Sequence, residues 1–396
     1  MIYTKCVEKC RQRTSTILHI AVLLVLGASA CNWPNSRGEE VNAPSSGTAI
    51  ALLADNELLR YSLQNGAILG SARLGPNPED VRGVAHVMAF DRQLNSLVVL
   101  VTVDGPGQNQ IAFIDPGTLR VTALRSVAVP EVPYRGLAVG PRSGRIYLFG
   151  DRSVGPDMGP TRGPPSDAAI TVMNPQASAI ISNMTVKVSY GLDWRVYNGA
   201  LSDQEDRIYL SYHGPDTTGI DEFTLAGVRV CASSQDPSVA CISGHGGFQF
   251  FHGSILVATG GPEIRLINPA GKIERTFNTK LNSDHLMEFG VSTVFNRLYA
   301  VGSCGYTPGM ASIDLNGGHV FTPPAASGIC GERVVSAGRL LIVQRLRVPV
   351  PHTSEPGALV LVDEKGGSIL RRIPTPSSPL DVLVLDDHNS GTSLRG

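Results

Sequence analysis

The sequence has almost no excess of either charge, and it lacks cysteine pairs of the C-x-x-C type. Its 396 residues carry a formal net charge of -1, so no global basic field exists that would hold nucleic acid. Zinc sites built on four thiolates need close C-x-x-C pairs, and calcium loops need dense D-x-D-x-D-G clusters; neither pattern occurs. The composition argues against nucleic acid as a partner, and we predict no metal and no other cofactor.

Long apolar runs are missing as well. The stretch from Ile17 to Leu26 is interrupted by His19 and is too short to cross a bilayer as a stable helix. Four basic residues precede it, between positions 5 and 13. A positive segment followed by a short apolar segment is typical of a secretory signal, so we predict a signal peptide at residues 1–30.

The end of this segment, Ala28-Ser29-Ala30-Cys31, has two interpretations. It is either an A-x-A site for signal peptidase or a lipobox in which Cys31 is lipidated. The first would leave Cys31 as an odd free thiol in an exported protein, so we favour the lipobox, although Ala28 stands where leucine is usual. Residues 31–47, rich in Ser, Asn, Pro and Gly, then form a flexible tether. This predicts an exported lipoprotein anchored to a membrane in the periplasm or at the cell surface; otherwise the protein is secreted.

Four cysteines remain after the signal peptide and Cys31, and an even set favours disulfides in an oxidising compartment. Cys231 and Cys241 bracket the polar loop ASSQDPSVA. Cys304 and Cys330 each lie beside glycine in a predicted loop. We therefore predict the disulfides Cys231–Cys241 and Cys304–Cys330.

A strand phrase recurs along the chain about every 50 residues, which indicates an array of sheet units. It consists of a small apolar run, a tight polar turn and a hydrophobic strand, as in GLAVGPRSGRIYLFGD. The units cover residues 49–74, 83–129, 136–188, 196–232, 247–278, 288–322 and 333–374, and a last strand covers 379–387. We predict an all-β fold, a seven-bladed β-propeller over residues 48–388, followed by a disordered tail at 389–396. The last strand would join the three strands of the first unit, which closes the ring and removes an exposed sheet edge.

The segments GRIYLFGD, DRIYLSYH and NRLYAVGS resemble the YVTN-type and WD-repeat-like propellers of exported bacterial proteins. The resemblance covers nearly the whole mature chain and implies the fold more than any chemistry, since that family includes binding modules, scaffolds and lactonase-like enzymes. Only two tryptophans occur, Trp33 and Trp194, so the tryptophan-docked blades of quinone-dependent dehydrogenases are missing. The Asp-box of sialidases and the aromatic context of kelch blades are absent too.

Loop lengths predict a binding face. The turns between first and second strands are short, as in PRSG and SDQED, whereas residues 150–167, 212–219, 303–310 and 345–357 form long loops at the opposite face. An elaborated face on a rigid scaffold is typical of binding.

Several polar residues lie where the inner strands begin at that face. Shared parity, which means a shared face of the strand, groups Arg82, His86, Arg135, Arg195, Tyr197 and His285. His245, Arg333 and Asp381 occupy comparable positions. Converging arginines would hold a carboxylate or phosphate by bidentate hydrogen bonds. The alternative, which we favour slightly, is ion pairing between blades, because Asp80, Asp193, Asp284 and Glu332 lie beside these bases.

Weaker candidates are two loop histidines, His213 and His352, and three acids that would approach a metal on the same face, Asp104, Asp151 and Asp216. The sequon at Asn183 matters only in a host that glycosylates exported proteins.

The function predicted from these features is binding of a protein partner or a small, anionic ligand on the loop-rich face of an exported, lipid-anchored propeller. One alternative is a lactonase-like or other hydrolase that uses a polar cluster at the channel mouth. A second alternative is an envelope assembly scaffold. No Ser, His and Asp set has a recognisable local context, so catalysis stays open.

Overall fold

The computed structural model describes residues 47–385, except for 54–55, 75–83, 103–108, 128, 130–131, 133, 152–166, 189–194, 214–217, 232–240, 244–247, 260, 282–287, 293–294, 303–308, 323–328, 330, 332, 337–339, 345–356, 364–367 and 378. The predicted signal peptide, almost all of the tether and the C-terminal tail lie outside these residues. Within them, no helix has the length and apolar character needed to cross a membrane.

The described chain forms seven four-stranded antiparallel sheets, which we number by position along the chain. Sheet 1 consists of β28 (Pro379–Leu385), β1 (Thr48–Leu53), β2 (Glu57–Ser62) and β3 (Ile68–Arg73). Sheet 2 consists of β4 (Val84–Asp91), β5 (Ser96–Thr102), β6 (Gln110–Ile114) and β7 (Val121–Ser126). Sheet 3 consists of β8 (Tyr134–Val139), β9 (Ile146–Asp151), β10 (Asp167–Met173) and β11 (Ile180–Lys187).

The remaining sheets repeat this order. Sheet 4 consists of β12 (Arg195–Leu201), β13 (Arg207–His213), β14 (Thr218–Thr224) and β15 (Ile242–Ser243). Sheet 5 consists of β16 (Phe248–Phe251), β17 (Ser254–Ala258), β18 (Glu263–Ile267) and β19 (Ile273–Asn278). Sheet 6 consists of β20 (Glu288–Ser292), β21 (Arg297–Val301), β22 (Met310–Asp314) and β23 (Val320–Phe321). Sheet 7 consists of β24 (Arg333–Ser336), β25 (Leu340–Gln344), β26 (Gly357–Val362) and β27 (Ile369–Thr375).

Sheet 1 combines one C-terminal strand with three N-terminal strands, as the sequence predicts. β28 pairs with β1 from Thr48 opposite Leu385 to Leu52 opposite Asp381. This pairing covers an edge of β1 that would otherwise expose unpaired N–H and C=O groups. The two ends of the chain are thereby fastened together by a strand ladder.

Alternation of side chains along each strand explains why the strands read as continuous apolar runs. In β5, Leu97, Val99 and Val101 pack toward sheet 1, while Val98 and Leu100 pack toward sheet 3. Because both faces of the strand are buried, neither set of positions can be polar.

Seven hydrophobic clusters lie between consecutive sheets, and one of them joins sheet 7 to sheet 1. Buried tyrosines such as Tyr147 and Tyr209 anchor two of these interfaces. The predicted all-β propeller fold is therefore confirmed.

Neighbouring sheets approach closely at two glycine residues of the inner strands. A Cβ on Gly199 of β12 would overlap the ring of Phe149, and one on Gly290 of β20 would lie 2.7 Å from Cγ1 of Val334 in β24. Glycine is needed there because the neighbouring sheets leave no room for a side chain.

The outer strand of sheet 4 differs from the prediction that its unit ends at residue 232. Arg229 forms an isolated bridge with Phe223, and the ladder resumes where Ile242 pairs with Ile220. Residues 232–240 between them lie outside the described residues. A disulfide joins Cys231 and Cys241 on either side of this segment.

Candidate functional site

The propeller has two ends that differ in their connections. The turns from the first to the second strand and from the third to the fourth strand of each sheet lie at one end, which we call the short-turn face. The connections from the second to the third strand, and from one sheet to the next, lie at the other, which we call the loop-rich face. Most of the long loops predicted to form the binding face lie outside the described residues.

The structure describes the predicted site residues unevenly. Arg82, His245 and His285 lie outside the described residues. His86, Arg195, Tyr197 and Arg333 lie on β4, β12 and β24, but their side chains are not described. Cys31, Cys304, Cys330, His352, Asp104 and Asp216 also lie outside the described residues, and the side chain of His213 is not described. Two of the predicted ligand-binding side chains are therefore in view, Arg135 and Asp381.

Arg135 forms an ion pair on the loop-rich face. Its Nε lies 3.8 Å from Oδ2 of Asp151, at the end of the neighbouring strand β9. The Arg135 side chain is 43% exposed, whereas that of Asp151 is 2% exposed. This ion pair lies within sheet 3, whereas the ion-pairing interpretation expects contacts between blades through Asp80, Asp193, Asp284 and Glu332, which lie outside the described residues. Almost half of the Arg135 side chain nevertheless faces solvent.

Asp381 is buried and connects two sheets. Its Oδ2 accepts a hydrogen bond of 2.9 Å from the backbone N–H of Met88 in β4. The inward edge of an inner strand has no further strand to pair with, so a neighbouring side chain has to satisfy such a group. Asp381 therefore fastens the closing strand β28 to sheet 2.

Gln249 of β16 makes an equivalent connection that sequence reasoning missed. Its Nε2 donates to the carbonyl of Phe289 at 2.7 Å, and its Oε1 accepts from the N–H of Val291 at 3.1 Å. The side-chain amide thus pairs with β20 much as a strand residue would.

The Cys231–Cys241 disulfide is confirmed, with the two Cα atoms 4.9 Å apart. Asp221, fully buried beneath it, accepts from the Cys241 N–H and from Nη2 of Arg229, both at 3.1 Å. Asp221, Cys231 and Cys241 have the geometry of a metal-ligand set, but the disulfide occupies both sulfur atoms. The cluster therefore ties Arg229 and Cys241, which flank residues 232–240, to β14 of sheet 4.

The short-turn face is fastened by side chains that reach from one turn to the next. Glu205 accepts hydrogen bonds from the N–H groups of Arg142 (3.1 Å) and Ser143 (2.9 Å), and also from the Ser143 hydroxyl. The Tyr147 hydroxyl donates to the same carboxylate at 3.2 Å. Burial raises the pKa of Tyr147 to about 12, and the negative charge of Glu205 adds to the rise. Tyr147 therefore stays a neutral donor at physiological pH.

Two further contacts continue this chain of turns. Gln93 Nε2 donates to the carbonyl of Arg142 at 2.6 Å, and Arg142 Nη2 donates to Oε1 of Gln204. The turns of sheets 2, 3 and 4 are thus linked in series, which fixes their spacing.

A pocket of about 290 Å³ opens at the short-turn face, between the ends of β4, β8, β12 and β16. Ala89, Ala138, Ala200 and Phe250 supply apolar lining, and Arg92, Gln93, Asp203 and Gln249 supply polar lining. Asp91 lines it and is fully buried. Oδ1 of Asp91 accepts from the N–H groups of its own turn, while Oδ2 has no hydrogen-bond partner among the described residues. A buried carboxylate oxygen in this state favours a ligand that donates a hydrogen bond.

Comparisons with known proteins provide evidence about the fold alone. No family model matches the chain, and no curated protein matches it. A functionally unknown protein from Desulfotomaculum acetoxidans DSM 771 superposes with a TM-score of 0.52 at 12% identity, over 83% of this chain and 95% of its own. A protein of unknown function from Bacteroides caccae gives 0.47 at 12% identity, over 72% and 98%. A chain of a nidogen/laminin complex gives 0.43 at 11%, over 70% and 95%.

Proposed function

We propose that this protein is an exported, lipid-anchored, seven-bladed propeller that binds a carboxylate or phosphate group on its loop-rich face, presented by a small molecule or by a partner protein. The seven four-stranded sheets and the β28–β1 ladder support the blade number. The signal segment and Cys31 support export and anchoring.

The observation that carries the binding proposal is the geometry of Arg135. The Arg135 Nε lies 3.8 Å from the buried Asp151 carboxylate, which attracts the guanidinium, and almost half of the Arg135 side chain faces solvent at the start of an inner strand. The planar fork of a guanidinium suits carboxylate and phosphate. The long loops around this end supply the remaining contacts.

Titration calorimetry of the exported protein with inorganic phosphate and with citrate tests the proposal. We expect Arg135→Gln to weaken binding about tenfold or more, because a hydrogen bond to a charged group is lost. Lys272→Gln removes the same charge from an exposed position on the short-turn face and should leave the affinity unchanged. Equal affinity in the wild type and Arg135→Gln, or no binding of either anion, would overturn the proposal. Thermal unfolding verifies that both variants are folded.

The pocket beside Asp91 supports a second candidate, a site for a small ligand with an ammonium or N–H donor. Its apolar lining residues and its single unsatisfied acceptor match such a ligand. Ethylammonium chloride should raise the unfolding temperature of the wild type but not of Asp91→Asn, with sodium chloride at equal concentration as the control. An equal shift in both proteins would exclude a role for this carboxylate.

A further inference from the structure

Exposed apolar side chains of the described chain gather at the short-turn face. The large apolar residues with the greatest exposure are Ile68, Leu69, Leu94, Val121, Leu124, Ile180, Ile181, Leu225, Val228, Ile273, Phe295 and Phe321. All but Leu124 lie in a short turn or within two residues of one. We call those eleven the apolar rim. Six of the seven sheets contribute to it.

The rim follows the circumference of this face. Ile68, Val121, Ile180 and Ile273 occupy the first position of the outer strands of sheets 1, 2, 3 and 5. In a protein partner's footprint, apolar residues form one contiguous patch. Separate apolar tips around a face match a flat apolar medium instead, into which each tip inserts by itself.

The N-terminal segment reaches the fold at the same face. Thr48 pairs with Ser62 and Leu385, and the carbonyl of Gly47 accepts a hydrogen bond of 3.0 Å from the N–H of Leu63. Leu63 begins the turn that leads to Ile68 and Leu69. Cys31 precedes Gly47 by 16 residues in the sequence, so a lipid on Cys31 would be joined to the fold through this face.

Charges on the short turns are balanced in sign. The described turns carry Arg92, Arg120, Arg142, Arg145 and Lys272 against Asp115, Asp203, Glu205, Asp206, Asp314 and Asp363. No basic cluster is present among them that would draw the face to anionic lipid. Attraction to a bilayer would have to come from the apolar side chains.

We infer that the short-turn face rests on a lipid bilayer, with the apolar rim inserted into the interfacial layer and the loop-rich face turned away toward its ligand. The orientation rests on the lipid anchor of the proposed function, whereas the contact itself is a property of the rim. The pocket beside Asp91 opens inside the rim and takes no part in these contacts, which come from the turns and the outer strands.

The test uses the exported protein with Cys31→Ala, which removes the lipid, and vesicles of phosphatidylcholine. We expect this protein to co-sediment with the vesicles, and a 20% content of phosphatidylglycerol to change the bound fraction less than about twofold, because the face carries no basic cluster. The double variant Ile68→Ser/Leu69→Ser should lower partitioning by about tenfold, since two apolar tips are lost. Leu124→Ser is the matched control: Leu124 is 44% exposed and Leu69 is 45% exposed, but Leu124 lies away from the turns.

Unchanged partitioning of the double variant, or no co-sedimentation before any substitution, would overturn the inference. So would a dimer that dissociates in the double variant without vesicle binding, because the rim would then join two copies. Mass spectrometry of the wild-type N-terminal peptide determines separately whether Cys31 carries a lipid. Failure of the anchor is thus distinguished from failure of the rim.

Discussion

The two ends of the propeller differ in how their polar side chains are arranged, although the same strands run between them. At the short-turn face, Glu205 fastens neighbouring turns through partly buried hydrogen bonds, and Gln93 adds an exposed one. At the loop-rich face, Arg135 Nε lies 3.8 Å from Asp151 Oδ2, and the Arg135 side chain is 43% exposed. The first arrangement ties turns together through shared acceptors, whereas the second keeps a partly exposed charged side chain at the start of an inner strand. The difference teaches that one strand pattern can carry linked turns at one end and a partly exposed charge at the other.

Both ends of the propeller depend on the close packing of neighbouring sheets between them. Gly199→Val should lower the free energy of unfolding by about 3 kcal/mol, because the added side chain would displace the buried ring of Phe149. Gly261 lies at the loop-rich face with open space around its Cβ position. Gly261→Ala should change stability by less than about 0.5 kcal/mol. Denaturant unfolding compares the two, and equal effects would show that the inner strands can separate without cost.

At the short-turn face, Glu205→Ala should cost about 2 kcal/mol, because it leaves two N–H groups of the adjacent turn and the Tyr147 hydroxyl without their acceptor. The neighbouring Gln204→Ala removes an exposed contact to Arg142 and should cost less than about 0.5 kcal/mol. A small effect of Glu205→Ala in chemical denaturation would mean that solvent replaces the carboxylate, and the two ends would then differ less than proposed.

The sequence predicts structural features formed by residues that are close along the chain. It does not predict which distant residues will contact one another. The strands, the short turns and the Cys231–Cys241 bridge follow from local alternation and spacing. The partners of Asp381 and Glu205 lie 293 and about 60 residues away, and nothing near either residue indicates which N–H it will meet. Loop length directed attention to the loop-rich face, whereas the described pocket lies at the other end, where short turns and small residues such as Ala138 leave space between strands.

The buried tyrosines should make the stability of the fold depend on pH in the alkaline range. Burial raises the pKa of Tyr61 and of Tyr147 to about 12, with Glu57 and Glu205 respectively as second causes. The unfolded chain loses these protons near pH 10 and the folded chain holds them, so stability should fall as the pH rises from about 10 to 12. Each tyrosine accounts for about 1 kcal/mol at pH 11. Tyr147→Phe should flatten this decline in denaturant unfolding, and an unchanged slope would contradict the role of burial.

The smallest effect on stability is expected for a substitution of Arg135 at the loop-rich face. A conservative substitution there distinguishes a role in folding from a role in binding. Arg135→Lys keeps a positive charge beside Asp151, and because the pair is partly exposed, the free energy of unfolding should change by less than about 0.5 kcal/mol. The ammonium cannot form the two parallel hydrogen bonds of a guanidinium, so the affinity for phosphate or citrate should still fall severalfold. Calorimetry and unfolding on the same preparation measure both quantities. A loss of stability that matches the loss of affinity would show that Arg135 serves the fold, and the contrast between the two ends would then rest on the loops alone.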